Sequence, residues 1–216
     1  MIDLEGVKLV IFDCDGVLVD TEPLANQVLA GHASSMGWDM DGPTSQKIFQ
    51  GMTMTQVHQR IETHMGQKLD DSWINQYYQN CFEMFKSELR PVPGAPELVA
   101  RVAASGRKLC VASQGPHEKM NLTLGVTDLL GYFEGHIFSA QDVARPKPYP
   151  DLFLHAAKCM NTAPEHCCVI EDSQTGVTAA RSAGMQVIHL TPITPENETS
   201  GQISRIFHLD EVLTSG

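Results

Sequence analysis

The chain has 216 residues, with 15 Lys and Arg against 26 Asp and Glu, a formal charge of −11. Hydrophobic residues make up 42% and charged residues 19%, the composition of a folded chain of one ordinary domain, or of one core carrying a smaller insertion. The acidic balance argues against a duplex-DNA reader, which needs clustered cations to displace phosphate counterions, and no apolar run approaches the roughly 20 residues of a membrane-spanning helix.

In chain order, Val7–Phe12 (VKLVIF) is a short apolar run that stops at Asp13, the pattern of a buried strand. Pro23–Met36 reads as a helix, with N-cap oxygens offered by Asp20 and Thr21 and a stop at Gly37. Thr53–Met65 and Asp70–Leu89 continue in helical style, so residues from about 20 to 88 carry no strand signal. Arg90-Pro91-Val92-Pro93-Gly94 is a turn-rich break. After it strands and helices alternate: helix Ala95–Ala104, strand Lys108–Ala112, helix Pro116–Leu124, strand Ile137–Ser139 and helix Asp151–Met160. Strand Cys167–Ile170, helix Thr175–Ala183 and strand Gln186–Leu190 complete the series. Alternation of this kind predicts βαβ units on a parallel sheet. The expected organisation is an α/β core, residues 1–19 and 89–216, split after its first strand by an all-helical insert, residues 20–88.

Six cysteines at irregular spacing, with no CxxC pair, do not make a secreted disulfide scaffold. The N-terminus carries acids where a secretory signal has Lys or Arg. Free thiols in a reducing cytoplasm are the expectation, and the scattered histidines offer no zinc motif.

Three predicted strands end in polar residues: the first in Asp13 and Asp15, the second in Ser113 and Gln114, the third in Glu171 and Asp172. Ligands of an open parallel sheet bind outside the carboxyl ends of its strands. Up to four carboxylates brought to one place repel unless a cation neutralises them or some are protonated. An all-oxygen set favours Mg²⁺ over zinc, and a carboxylate left free beside Mg²⁺ suits phosphoryl transfer. Taken alone, an Asp after a strand is more often a helix cap, Ser113 an N-cap, and Lys147 a surface lysine between Pro146 and Pro148. Among the histidines only His117, just after the Ser113 loop, invites attention. No GxxxxGK[ST], GxGxxG or GxSxG motif is present.

The run Asp13-Cys14-Asp15-Gly16-Val17-Leu18-Val19-Asp20-Thr21-Glu22 resembles the first motif of the haloacid dehalogenase (HAD) superfamily, in the branch with a helical cap inserted just after it. Ser113 in VASQ, Lys147 in RPKPYPDLF and Glu171-Asp172 in VIEDSQTG resemble the motifs that follow. The resemblance implies a Rossmann-like HAD core with a cap, and an Asp13 nucleophile that becomes a phosphoaspartate. It implies Asp15 as general acid/base, with Gly16, Ser113, Gln114 and Lys147 holding the phosphoryl group. It implies Mg²⁺ on Asp13, Asp172 and the Asp15 backbone carbonyl, with Glu171 a weaker ligand. Asp15 separates the chain from the dehalogenases, the cap lysines Lys47, Lys68 and Lys86 match no Schiff-base context, and Gly51–Thr55 lacks the basic residue of the phosphoglucomutases. The stretches Gln114–Met120 and Phe153–Lys158 are similar to bacterial sugar-phosphate and 6-phosphogluconate phosphatases. A small phosphate ester is the expected partner, with no nucleic acid and no membrane. A phosphosugar mutase and a non-catalytic HAD-like binding protein are the alternatives.

Overall fold

A computed structural model describes residues 2–70, 72–191 and 203–213. The chain divides into two compact units, residues 20–89 and residues 1–19 with 90–216.

In the second unit the elements in chain order are β1 (Ile2–Asp3) and β2 (Leu9–Phe12), then, beyond the helical unit, the rest of the sheet and its helices. The helical unit holds α1 (Thr21–Ser35), α2 (Gly42–Phe49), α3 (Met54–Met65) and α4 (Trp73–Glu88). The core unit resumes with α5 (Ala95–Ala104), β3 (Lys108–Ser113), α6 (His117–Val126), β4 (Ile137–Ser139) and α7 (Asp151–Cys159). It closes with β5 (Cys167–Glu171), α8 (Gln174–Ser182), β6 (Gln186–Leu190), β7 (Ile203–Ile206) and β8 (Val212–Leu213). Six strands pair in parallel in the order β4-β3-β2-β5-β6-β7, and β1 pairs separately with β8. The fold is therefore the α/β parallel-sheet architecture expected from the alternation.

Burial explains the continuous apolar runs. Every residue of β2 and β5 is buried, because helices cover both faces of their sheet. On one face Leu9 and Ile11 join Leu152 and Phe153 of α7 and Val177 and Ala180 of α8. On the other, the Phe12 ring meets Phe133 edge-on with centroids 5.8 Å apart. Cys110, Cys167 and Cys168 are part of this packing, and all six cysteines are free. Among the described residues no helix is long and apolar enough to cross a membrane.

Register positions the polar strand ends. Phe12 is paired with Val111 on one side and Ile170 on the other, so Asp13 emerges level with the ends of both neighbours. The Asp13 N–H donates to the Ile170 carbonyl at 2.9 Å. From β2 the chain moves to β3 and β4 on one side and then returns to β5 on the other. That reversal is the switch point at which such sheets leave a binding crevice.

Several local expectations are corrected. The first helix begins at Thr21, and the Asp20 side chain makes no cap bond. The helix α2 was unforeseen, although Asp41 caps it by accepting from the Thr44 N–H at 2.8 Å and Pro43 sits in its first turn. In α3 the Thr53 and Gln56 side chains form a reciprocal capping box. The strand β7 was also unforeseen. Its ISRI sequence is only half-buried, and it is ordered by pairing with the edge of β6 rather than by its own pattern.

Candidate active site

Asp13 follows β2 and is buried at 6% exposure. The Lys147 ammonium, equally buried, donates to Asp13 Oδ1 at 2.6 Å and to Glu171 Oε2 at 2.8 Å. Lys147 is therefore no surface lysine. Its Nζ also lies 4.9 Å from the centre of the Phe153 ring on α7. Burial alone would lower the Lys147 ammonium, but the charges of Asp13 and Glu171 outweigh it and hold its pKa well above the usual lysine range. Asp13 is pushed up by burial and then by the Glu171 charge, against the pull of Lys147.

Glu171 ends β5 with both oxygens occupied. Oε2 accepts from Lys147, and Oε1 accepts from the Ser173 N–H at 3.0 Å and the Ser173 hydroxyl at 2.7 Å. Ser173 also caps α8 by accepting from the Gly176 N–H at 3.1 Å. Gly176 is required here, since an added Cβ would collide with the Glu171 carboxyl. Asp172 follows directly. Part of this residue reaches solvent, yet loss of hydration at the carboxyl, and then the Glu171 charge, push it up to about 7.

One carboxylate oxygen from each of Asp13, Glu171 and Asp172 lies within 4.8 Å of the others. Three crowded carboxylates, two of them with raised pKa, are what a hard cation would neutralise, and the donors are all oxygen. The residues present thus fit a divalent metal. Gly16, at φ +80°, lies against Asp172, where a Cβ would collide with Oδ2.

The remaining expected residues are placed as follows. Ser113 ends β3 at 2% exposure, and its Oγ accepts from the Gly115 N–H at 3.2 Å. It does not cap α6, whose N-cap is Pro116 without a side-chain bond. Gln114 is exposed, and among the described residues its side chain makes no hydrogen bond to the acidic group. The Asp15 carboxyl is in an ion pair with Lys119, and its charge helps to raise Asp13. His117 pairs instead with Asp142, its Nε2 2.9 and 3.0 Å from the two carboxylate oxygens.

The family model of haloacid dehalogenase-like hydrolases matches residues 7–184. The chain belongs to that family. It is 33% identical over 187 residues to the 6-phosphogluconate phosphatase of Escherichia coli (strain K12), covering 86% of this chain and 83% of the relative. It is 30% identical over 188 residues to the phosphorylated carbohydrates phosphatase of Thermotoga maritima, covering 85% and 84%. A HAD family hydrolase from Deinococcus radiodurans R1, solved with bound phosphate and sodium, superposes with a TM-score of 0.76 at 27% identity, covering 97% of this chain and 92% of that one. Within the family the chain is a phosphoric monoester hydrolase.

Two residues of this HAD hydrolase escaped the sequence reading. Lys119 on α6 places its Nζ 2.8 Å from both Asp15 oxygens. The available signal was a lysine in the first turn of a helix, where the dipole disfavours a cation. His189, buried in β6, donates from Nε2 to the Asp172 carbonyl at 3.0 Å. Its signal was a polar residue inside the apolar QVIHL run.

Proposed function

We propose that this hydrolase is a Mg²⁺-dependent phosphatase that cleaves a small phosphorylated metabolite, a sugar phosphate or a 6-phosphogluconate-like sugar acid, through a phosphoaspartate on Asp13. The observation that carries the reading is the Asp13 carboxylate at the switch point, 2.6 Å from a buried lysine and beside Glu171 and Asp172. The names of the E. coli and T. maritima relatives support the substrate class.

Asp13 and Asp172 would hold the metal with the Asp15 backbone carbonyl, and Glu171 contributes more weakly, because its oxygens already serve Lys147 and Ser173. Bound Mg²⁺ supplies charge neutralisation for the phosphate dianion. An Asp13 oxygen attacks phosphorus as the bond to the leaving oxygen breaks, and Asp15 gives that oxygen its proton. Water then attacks the acyl phosphate, Asp15 takes its proton, and the bond from phosphorus to Asp13 breaks to release inorganic phosphate. Lys147 and Ser113 hold the phosphoryl oxygens throughout, and Lys147 offsets the repulsion between the dianion and Asp13. Gly16 and Gln114 complete the assigned phosphate contacts. Discrimination among leaving alcohols is assigned to the helical unit as cap. The enzyme is assigned to the cytoplasm, consistent with six free cysteines, and acts on no nucleic acid or membrane.

The test is kcat/KM with Mg²⁺ over hexose phosphates, 6-phosphogluconate, nucleotides, pyrophosphate and phosphopeptides. Preference for a sugar phosphate or phosphorylated sugar acid is expected. Preference for nucleotides or phosphopeptides overturns the substrate class, and efficient interconversion of glucose 1- and 6-phosphates replaces the phosphatase with a mutase.

A further inference from the structure

Lys119 is a residue that local rules disfavour at its position. It is the third residue of α6 (His117–Val126), in the turn where the helix dipole repels a cation. A lysine there is sustained by a partner, and the partner is Asp15, 104 residues earlier in the chain. The ammonium lies 2.8 Å from Oδ1 and 2.8 Å from Oδ2. Bridging both oxygens fixes the carboxylate about its terminal torsion, which in an aspartate is otherwise broad and soft. Neither end of the pair is a mobile surface group, since the side chains are 22% and 32% exposed. The space is shared closely. A Cβ at Gly115 would lie 3.6 Å from Lys119 Cδ, 3.6 Å from Ser113 Oγ and 3.8 Å from Asp15 Oδ2. Met120, the next residue, is buried at 1% exposure and anchors this turn of α6 to the core.

We propose that Lys119 is a positioning residue for Asp15, holding its carboxylate in place as the base of the second half-reaction, the hydrolysis of the phosphoenzyme. This rests on the reading of Asp15 as acid/base in the proposed phosphatase. The chemistry selects the half-reaction. A symmetric ion pair is a contact of the carboxylate form, and the carboxylate is the form that takes the proton from water. Lys147 already serves Asp13 and Glu171, so Lys119 is a second cation with a separate task.

The test follows p-nitrophenyl phosphate turnover by the full chain with Mg²⁺, by stopped flow. p-Nitrophenolate leaves without needing a proton. The burst therefore reads phosphoenzyme formation, and the steady state reads its hydrolysis. Lys119→Met is expected to show a burst close to stoichiometric with enzyme, then a steady-state rate reduced by about tenfold to hundredfold. KM should fall with kcat, so that kcat/KM changes far less than kcat. Lys119→Arg should restore most of kcat. Lys119→Gln, which keeps a polar end on the stem, gives the same readout if Met at this site unfolds the protein.

A burst and steady state that fall in equal proportion, or a kcat/KM that falls as far as kcat, would reduce Lys119 to a folding or phosphate-binding group and overturn the inference. Asp15→Asn in parallel separates the two failures. A burst in Asp15→Asn without one in Lys119→Met rejects the role of Lys119 alone. No burst in Asp15→Asn rejects Asp15 as the base, and the proposed mechanism with it.

Discussion

Lys147 and Asp13 are 134 residues apart in sequence, and their charged groups meet at 2.6 Å with both side chains almost shielded from solvent. Glu171 shares the same ammonium, so one buried cation faces two carboxylates. With both carboxylates ionised the group carries net negative charge before Asp172 is added. That excess makes the site receptive to a metal and costly without one.

Removing the cation exposes the cost. Lys147→Met leaves two buried carboxylates unpaired, and breaking a buried ion pair typically costs about 3–5 kcal/mol. Urea denaturation at pH 8 should show a loss of about that size. The loss should be smaller at pH 5, because lower pH favours the neutral carboxyl that burial of Asp13 already promotes. An equal loss at both pH values would mean that packing against Phe153, and not charge, is what Lys147 contributes.

Asp172 sets a pH dependence in the metal-free protein. Its folded pKa of about 7 lies above the roughly 4 of an unfolded aspartate. Between those values the folded state binds more protons than the unfolded state, so stability falls as pH rises through the window. Without metal the melting temperature should be lower at pH 7.5 than at pH 5. Mg²⁺ should raise it more at pH 7.5, because the cation binds the ionised carboxylates. EDTA-treated protein melted with and without Mg²⁺ at both pH values checks the sign.

Gly176→Ala is a small change with a large expected effect. In a helix alanine is favoured over glycine by about 1 kcal/mol. Here the methyl would strike the Glu171 carboxyl, which also holds Lys147 and Ser173. The variant should melt lower and lose about 10²-fold in kcat/KM through displacement of Lys147. Unchanged kinetics would show that the start of α8 yields without moving Glu171.

Asp13→Asn tests the nucleophile. The amide keeps the shape of the side chain but does not form an acyl phosphate. The protein should fold, and turnover should fall by several orders of magnitude. Near-normal phosphatase activity in this variant would remove Asp13 from the reaction.

Much of the α/β core was legible because its strands are buried on both faces. Apart from Lys8 and Lys108 the runs VKLVIF, KLCVA and CCVI are apolar, end abruptly in polar residues, and alternate with helices. Those features are local, so composition and spacing carry them. The short helix α2 was legible in principle from Asp41 and Pro43, but eight residues give a weak period. The strand β7 was not, because its partner is the edge of β6 and its own residues are half-exposed.

The sequence by itself determined which residue types stand at the strand ends: Asp13, Asp15, Ser113, Glu171 and Asp172. The tertiary structure decided which of them act on one another. Parallel pairing in register brings β2, β3 and β5 side by side and sets Asp13 against Glu171. The cation assigned to each carboxylate followed only from packing: Lys147 reaches Asp13 and Glu171, and Lys119 reaches Asp15. No spacing rule predicts these pairs, because a charge pairs with whatever the fold brings within a few ångströms of it. Their strength also depends on exclusion of water, which exists only once the sheet and its helices have closed around the site.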